Sequence, residues 1–169
     1  MDYSPGLRGV IAGETEISTV GMEGTSLRYR GYDAINLTKS HTYEDVASLI
    51  IDDNLDGKLF KETFIKHYEQ LLDDQALLNL IKNLRVSLHP MDVMRTAISY
   101  IGQADESNKL HAASKVTAIA CIVIASYDEE PTSDINNEYV VASSLLSDTA
   151  SKEQLEALDD MLILYAEHG

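Results

Sequence analysis

Five histidines, one cysteine and five arginines are the side chains of this 169-residue sequence best suited to move protons, act as nucleophiles or clamp carboxylates. Most have a plain packing role. His67 and His111 fall at or near apolar helical stripes, which suits packing or surface placement. His41 just precedes a helix start and is expected in solvent. Cys121 lies in the most apolar helix, where a thiol is structural rather than nucleophilic. His89-Pro-Met-Asp-Val-Met-Arg95 puts Asp92 and Arg95 three apart on one helix face. It could be a proton-transfer or ion-pair site. A helix start, with Pro90 at the first helical position and Asp92 in the first turn, explains the same residues better. Phosphate-loop, dinucleotide, H-E-x-x-H zinc and G-x-S-x-G nucleophile patterns are absent. That leaves His168, which ends the last helix and is followed only by Gly169.

The element that must position His168 is Ser151 to Gly169. Ser151 is a good N-cap, and Glu153 places negative charge in the first turn. Leu155, Leu158, Leu162 and Tyr165 recur at spacings of three and four and so share a face, with Met161, Leu164 and His168 beside it. The helix is polar at its start and apolar at its end, so its C-terminal half should enter a core. In isolation, a histidine in the last turn interacts favourably with the helix dipole.

Charge narrows the partners. The net charge is −15, and residues 128–169 carry 11 acids against Lys152 alone. That argues against nucleic acid or an anionic membrane, both of which need a basic surface. A solvated acidic face is the simpler reading of the run, and DEEPTSD lacks the spacing of a calcium loop. No metal site is expected. One cysteine excludes an internal disulfide framework and fits a reducing compartment. The N-terminus shows no signal-peptide pattern, and Val116–Ala125 is about half a membrane span, so a cytoplasmic location is expected.

The length suits about one domain. Six of the nine glycines fall within residues 1–31. There Ile17–Val20 and Leu27–Arg30 read as strands around a Gly21–Gly24 turn, giving a small β-hairpin. Arg28 and Arg30 should share a face, opposite Leu27 and Tyr29. Helices are then expected over Tyr32–Leu37, from Thr42 to about Ile51, and from an Asp56 cap through Leu71. Others should run from Asp73 or Asp74 through Leu84, from Pro90 to Tyr100 or Ile101 with Gly102 as the stop, and from Ser107 or Asn108 to about Tyr127. An Asp134 cap should open a further helix to Leu146, before the last one. The fold class is therefore mainly α, an orthogonal multihelical assembly with a small N-terminal β-hairpin. Residues 1–31 form the arm and 32–169 the helical core.

Three segments together resemble the citrate synthase family, in its N-terminal part. They are Gly6–Thr15 continuing through Ile17–Val20 to Leu27–Asp33, then His89–Thr96, then Leu162–His168; Thr42–Ile51 also fits. The Tyr165-Ala-Glu-His168 form is similar to the bacterial type that includes 2-methylcitrate synthases. The resemblance implies a helical large domain, with the small domain absent. It implies an acyltransferase that condenses oxaloacetate with acetyl-CoA or propionyl-CoA, these being substrates rather than cofactors; no cofactor is implied. Such chemistry needs a carboxylate base for the thioester α-proton, a histidine to hold the enol and another to polarise the ketone. By resemblance, His168 binds oxaloacetate. The family's other catalytic histidines, its catalytic aspartate and its carboxylate-binding arginines have no counterpart, so no catalytic residue is expected in this chain and activity alone is doubtful. The arginines present lie far in sequence from His168. The implied partners are a second copy, as a homodimer, or the missing half. A non-catalytic role as an assembly or regulatory partner is the alternative.

Overall fold

A computed structural model describes residues 13–19, 26–102, 108–128 and 130–167. Eight helices and a three-stranded sheet make up the described residues. The sheet runs β1 (Ser18–Thr19), β2 (Arg28–Tyr29) and β3 (Tyr32–Asp33), all antiparallel. Ser18 pairs with Tyr29, and Tyr29 with Tyr32. A simple hairpin with helix from Tyr32 was expected, and the Gly21–Gly24 turn of that hairpin lies outside the described residues. The third strand arises because Arg30 and Gly31 adopt φ of 45° and 86°. Two left-handed residues make the tight turn whose twist matches paired strands, and glycine takes this geometry at no steric cost. Arg30 is thus in a turn, and does not share a strand face with Arg28.

Helix α1 (Ala34–Thr38) is capped by Asp33, whose carboxylate accepts from Asn36 N at 3.0 Å. α2 (Tyr43–Asp52) opens with the expected box, Asp45 Oδ2 accepting from Thr42 N at 3.0 Å. α3 (Lys58–Leu72) starts from Gly57 rather than Asp56. Gly57 is there because its backbone lies against α2: an added Cβ would sit 2.5 Å from Asp45 N and 2.6 Å from the Glu44 carbonyl carbon. Asp74 caps α4 (Gln75–Leu84) and His89 caps α5 (Pro90–Tyr100). Gly102 takes a φ of 74° just past the end of α5, the left-handed stop that glycine favours. Asn108 caps α6 (Lys109–Ala125).

The helix expected from Asp134 is short. α7 covers only Val140–Leu145. Asn136 Oδ1 accepts from Glu138 N at 2.8 Å and from Tyr139 N at 3.3 Å, a local side-chain turn that competes with helix over 134–139. Ser151 and Gln154 form the capping box of α8 (Lys152–Leu164).

α3 and α6 share the most extensive helix contact, and their Phe60, Phe64, Tyr68, Leu110, Ile119 and Ile122 build the main core. α6 is buried over most of its circumference, as its composition predicts, yet Val116 and Ile124 remain exposed. A second, smaller core gathers Tyr29, Ala34, Leu37, Val46, Leu49 and Ile163. It joins the sheet, α1 and α2 to the end of α8.

Candidate functional site

The segment leading to His168 is held from two directions. The first is the sheet. Tyr29 is fully buried, and its hydroxyl donates to the carbonyls of Ile163 at 2.8 Å and Leu164 at 3.2 Å. Carbonyls in a helix's last turn have no partner within the helix, so a buried donor here fixes both the end of α8 and its direction. Ser18 Oγ donates to Glu167 Oε1 at 3.3 Å, carrying the clasp three residues past the helix. Burial pushes the Tyr29 hydroxyl above its usual pKa, so it stays a donor throughout the neutral range. Strand pattern alone marks Tyr29 as inward-facing; nothing in the sequence marks it as the partner of residues 134 and 135 positions away.

The second hold is α2. The inward stripe of α8 is Leu155, Asp159 and Ile163. Leu158 and Leu162 flank it half-buried, and Tyr165 is exposed, outside the apolar face expected for it. α8 also ends at Leu164, earlier than expected, with Tyr165 as its C-cap. Asp159 enters the apolar stripe because it serves another helix: its two oxygens accept from Tyr43 N, the first residue of α2, at 3.2 and 3.1 Å. α2 passes the same device on. Glu44 Oε1 accepts from Val141 N in α7 at 2.8 Å, and Asp45 Oδ1 accepts from Gly57 N at the start of α3 at 2.9 Å. Three helix N-termini thus receive carboxyl oxygens from other helices, as acceptors for amides with no partner in their own helix. At the opposite end of α2, Arg30 donates to the Leu49 and Ile50 carbonyls at 3.0 and 3.1 Å, as a cation suits a helix C-terminus.

His168 and Gly169 lie outside the described residues, as does Arg8. Of the other sequence candidates, His67 and His111 come together, ring centroids 6.0 Å apart and edge-on, at the α3–α6 seam. His89 Nδ1 accepts from Met91 N at 3.2 Å, and Asp92 pairs with Arg95 at 2.9 Å on an exposed face, which makes that motif a helix start. His41 Nδ1 is 2.8 Å from Ser40 Oγ. Cys121 is buried, and burial pushes its thiol up to about 12, where no nucleophilic thiolate forms near neutrality. Among the described residues, no group of three His, Cys, Asp or Glu side chains could hold a metal ion. No described helix is long and apolar enough to cross a membrane.

This largely helical architecture, with a small antiparallel sheet near its N-terminus, is shared by solved citrate synthases. The comparisons agree. The family profile described as "Citrate synthase, C-terminal domain" matches residues 6–169, and the chain belongs to the citrate synthase family. It is 34% identical to a 2-methylcitrate synthase of Shewanella oneidensis, over 96% of this chain and 47% of that protein. It is 31% identical to the citrate/2-methylcitrate synthase of Bacillus subtilis, over 98% and 49%. The citrate synthase of Thermoplasma acidophilum, solved as a ternary complex with carboxymethyl coenzyme A and oxaloacetate, shares the fold at a TM-score of 0.76 and 20% identity, covering 95% of this chain and 46% of that one. The chain spans about half the length of the curated relatives it matches.

Proposed function

We propose that the chain supplies the N-terminal part of a citrate or 2-methylcitrate synthase, which condenses oxaloacetate with acetyl-CoA or propionyl-CoA. The observation that carries this reading is the match running through residues 6–169 while spanning about half of each relative. In the completed site His168 donates a hydrogen bond to oxaloacetate. The proton abstraction, enol stabilisation and carboxylate clamping come from residues that the family carries outside this stretch. What the chain contributes is orientation: Tyr29 and Asp159 anchor the two ends of the α8 half that precedes His168. Holding a substrate-binding group in place before substrate arrives lowers the entropy lost on the way to the transition state. By itself the chain is inactive, because a lone histidine beside a segment rich in carboxylates is a poor receptor for a dianion.

The test mixes the purified chain with a chain supplying the remaining half of a relative. Calorimetric titration of oxaloacetate and a thiol-release assay with each acyl-CoA are then run on the chain alone and on the mixture. Binding and turnover are expected only in the mixture. Turnover by the chain alone overturns its inactivity. The absence of both in a mixture that demonstrably associates overturns the enzyme reading.

A second reading rests on a different observation. Val86, Leu88, Met91, Val116 and Ile124 are exposed apolar side chains on or beside α5 and α6. We propose that this surface joins a second copy or the remaining half, and in the absence of catalysis makes the chain an assembly partner. Light scattering after size exclusion checks it. A monodisperse monomer that ignores full-length synthase counts against any partner role.

A further inference from the structure

Two carboxylates are buried at the start of α2 without a cation. Glu44 is 1% exposed and Asp159 2%. Among the described residues neither makes an ion pair. Glu44 Oε1 takes the Val141 amide, but its Oε2 has no hydrogen-bond partner. The neighbouring Thr42 hydroxyl bonds Asp45 Oδ2 at 3.3 Å, and its pull on Glu44 is weaker than the opposing effect of burial. Asp159 takes the Tyr43 amide on both oxygens. One turn of helix therefore has a buried carboxyl on each side, and burying an unpaired negative charge is costly unless the group holds a proton.

We propose that Glu44 and Asp159 form a proton-held latch that joins α8 to α2 through the Tyr43 amide and loosens as protons are lost. The surroundings reinforce the direction. From α2 itself, Asp45 adds a third negative charge and Tyr43 an uncharged phenol, whose pKa burial raises to about 12. From α8, Asp160 adds negative charge beside Asp159. α6 presents Cys121, held neutral by burial. α3 presents a cation, Lys61, whose Nζ is bonded to the Asn137 carbonyl and whose charge pulls Glu44 down. The cleft on the solvent side of Asp159 is lined by Lys39, His41, Glu138, Tyr139 and Glu156. Burial first, then the Glu44, Asp160 and Asp45 charges, raise Asp159 to about 7 against the pull of the Tyr43 amide. Burial likewise raises Glu44.

The sign follows. A carboxyl raised in the folded state binds its proton more tightly there than in the open state. Closure is thus favoured most below the ordinary carboxyl value and weakens as pH climbs from there to the raised value, opposite to a salt-bridged carboxylate. The Asp159 amide contact is what α8 loses on opening, and Ile163 and the segment toward His168 loosen with it. The latch is a property of the folded chain and holds whether or not the chain takes part in catalysis.

Hydrogen exchange of the intact chain between pH 5 and 9 tests this, with each rate divided by the intrinsic base-catalysed rate. The opening equilibrium at Tyr43 N and across α8 is expected to rise by up to tenfold per pH unit, the limit for one proton, between the ordinary carboxyl value and about 7, and to level off above it. Asp159→Asn keeps an oxygen for Tyr43 N and should flatten that rise. Glu44→Gln removes a neighbouring negative charge that raises Asp159, so it should move the rise to lower pH. His41→Gln should leave it in place. Protection in the wild type that is constant from pH 5 to 9, a rise that survives Asp159→Asn, or a rise that Glu44→Gln leaves unmoved or moves to higher pH overturns the latch. Should Asp159→Asn not fold, carboxyl-carbon NMR of the wild type decides: Asp159 titrating near neutrality supports it, and an ordinary acidic midpoint overturns it.

Discussion

The seam between α3 and α6 and the seam between α8, α2 and the sheet are both buried, but they are held by different forces. The first is almost all hydrocarbon and aromatic: Phe60, Phe64 and Tyr68 face Leu110, Ala118, Ile119 and Ile122. Phe64 and Tyr68 stack, with ring centroids 5.6 Å apart. The second buries a tyrosine hydroxyl and two carboxyls against helix ends. Apolar contact is non-directional, so the first seam fixes how close its helices lie more firmly than how they are registered. Hydrogen bonds to helix termini are directional, so the second fixes where α8 ends and points. The directional seam is the one that leads to His168.

Substitutions can break this contrast. Phe64→Ala, in the first seam, should cost about 3–5 kcal/mol by denaturant unfolding, because a fully buried ring leaves a cavity. The loss should be the same at pH 6 and pH 8. Gly57→Ala, at the carboxylate-linked start of α3, should cost about 1–3 kcal/mol, since the new Cβ meets Asp45 and Glu44 backbone that cannot yield. A smaller loss would mean that α2 and α3 separate more easily than their carboxylate link suggests. Tyr29→Phe preserves the ring and removes the donor. It should cost about 0.5–1.5 kcal/mol, by removing a buried hydrogen bond to an Ile163 carbonyl that keeps its Ala166 amide partner. Amide exchange should rise at the end of α8 more than in α3. Uniform loosening of both helices would erase the distinction between the seams.

The two seams also differ in how far the sequence announces them. Repeats of three and four, Asn, Asp and Ser caps, and Pro90 mark α2 to α6 and α8, because those signals are local. α6 reads as central for the same reason: apolar residues surround it. The errors fall where a distant partner decides. Asp159 occupies an apolar stripe because Tyr43 N needs an acceptor. Gly57 starts α3 because α2 lies against it. Asn136 holds residues 134–139 out of a helix that Asp134 could otherwise have capped. Of the candidate site, the motif around His168 is legible as a family resemblance. Its anchoring by Tyr29 and Asp159 is not, since both contacts span more than a hundred residues.

The smallest expected effect sharpens the comparison most, because it turns on sign. In the first seam the His67–His111 contact brings two histidines together. Burial, then the positive charges of His111, Lys115 and Lys66, lowers the His67 pKa, and its Nε2 is buried without a partner. A histidine whose pKa falls on folding binds its proton more tightly in the unfolded chain. Its contribution is complete above the ordinary value and shrinks as pH falls through it. Acid should therefore loosen α3 from α6, while a rise in pH toward neutrality loosens α8 from α2. His67→Gln should raise the melting temperature at pH 5 relative to wild type by more than at pH 8. Amide exchange should place the acid-sensitive opening in α3 and α6, and leave α8 unchanged. An acid-sensitive opening confined to α8 would put the proton linkage of both seams on the carboxyls, and His67 would then be a packing residue alone.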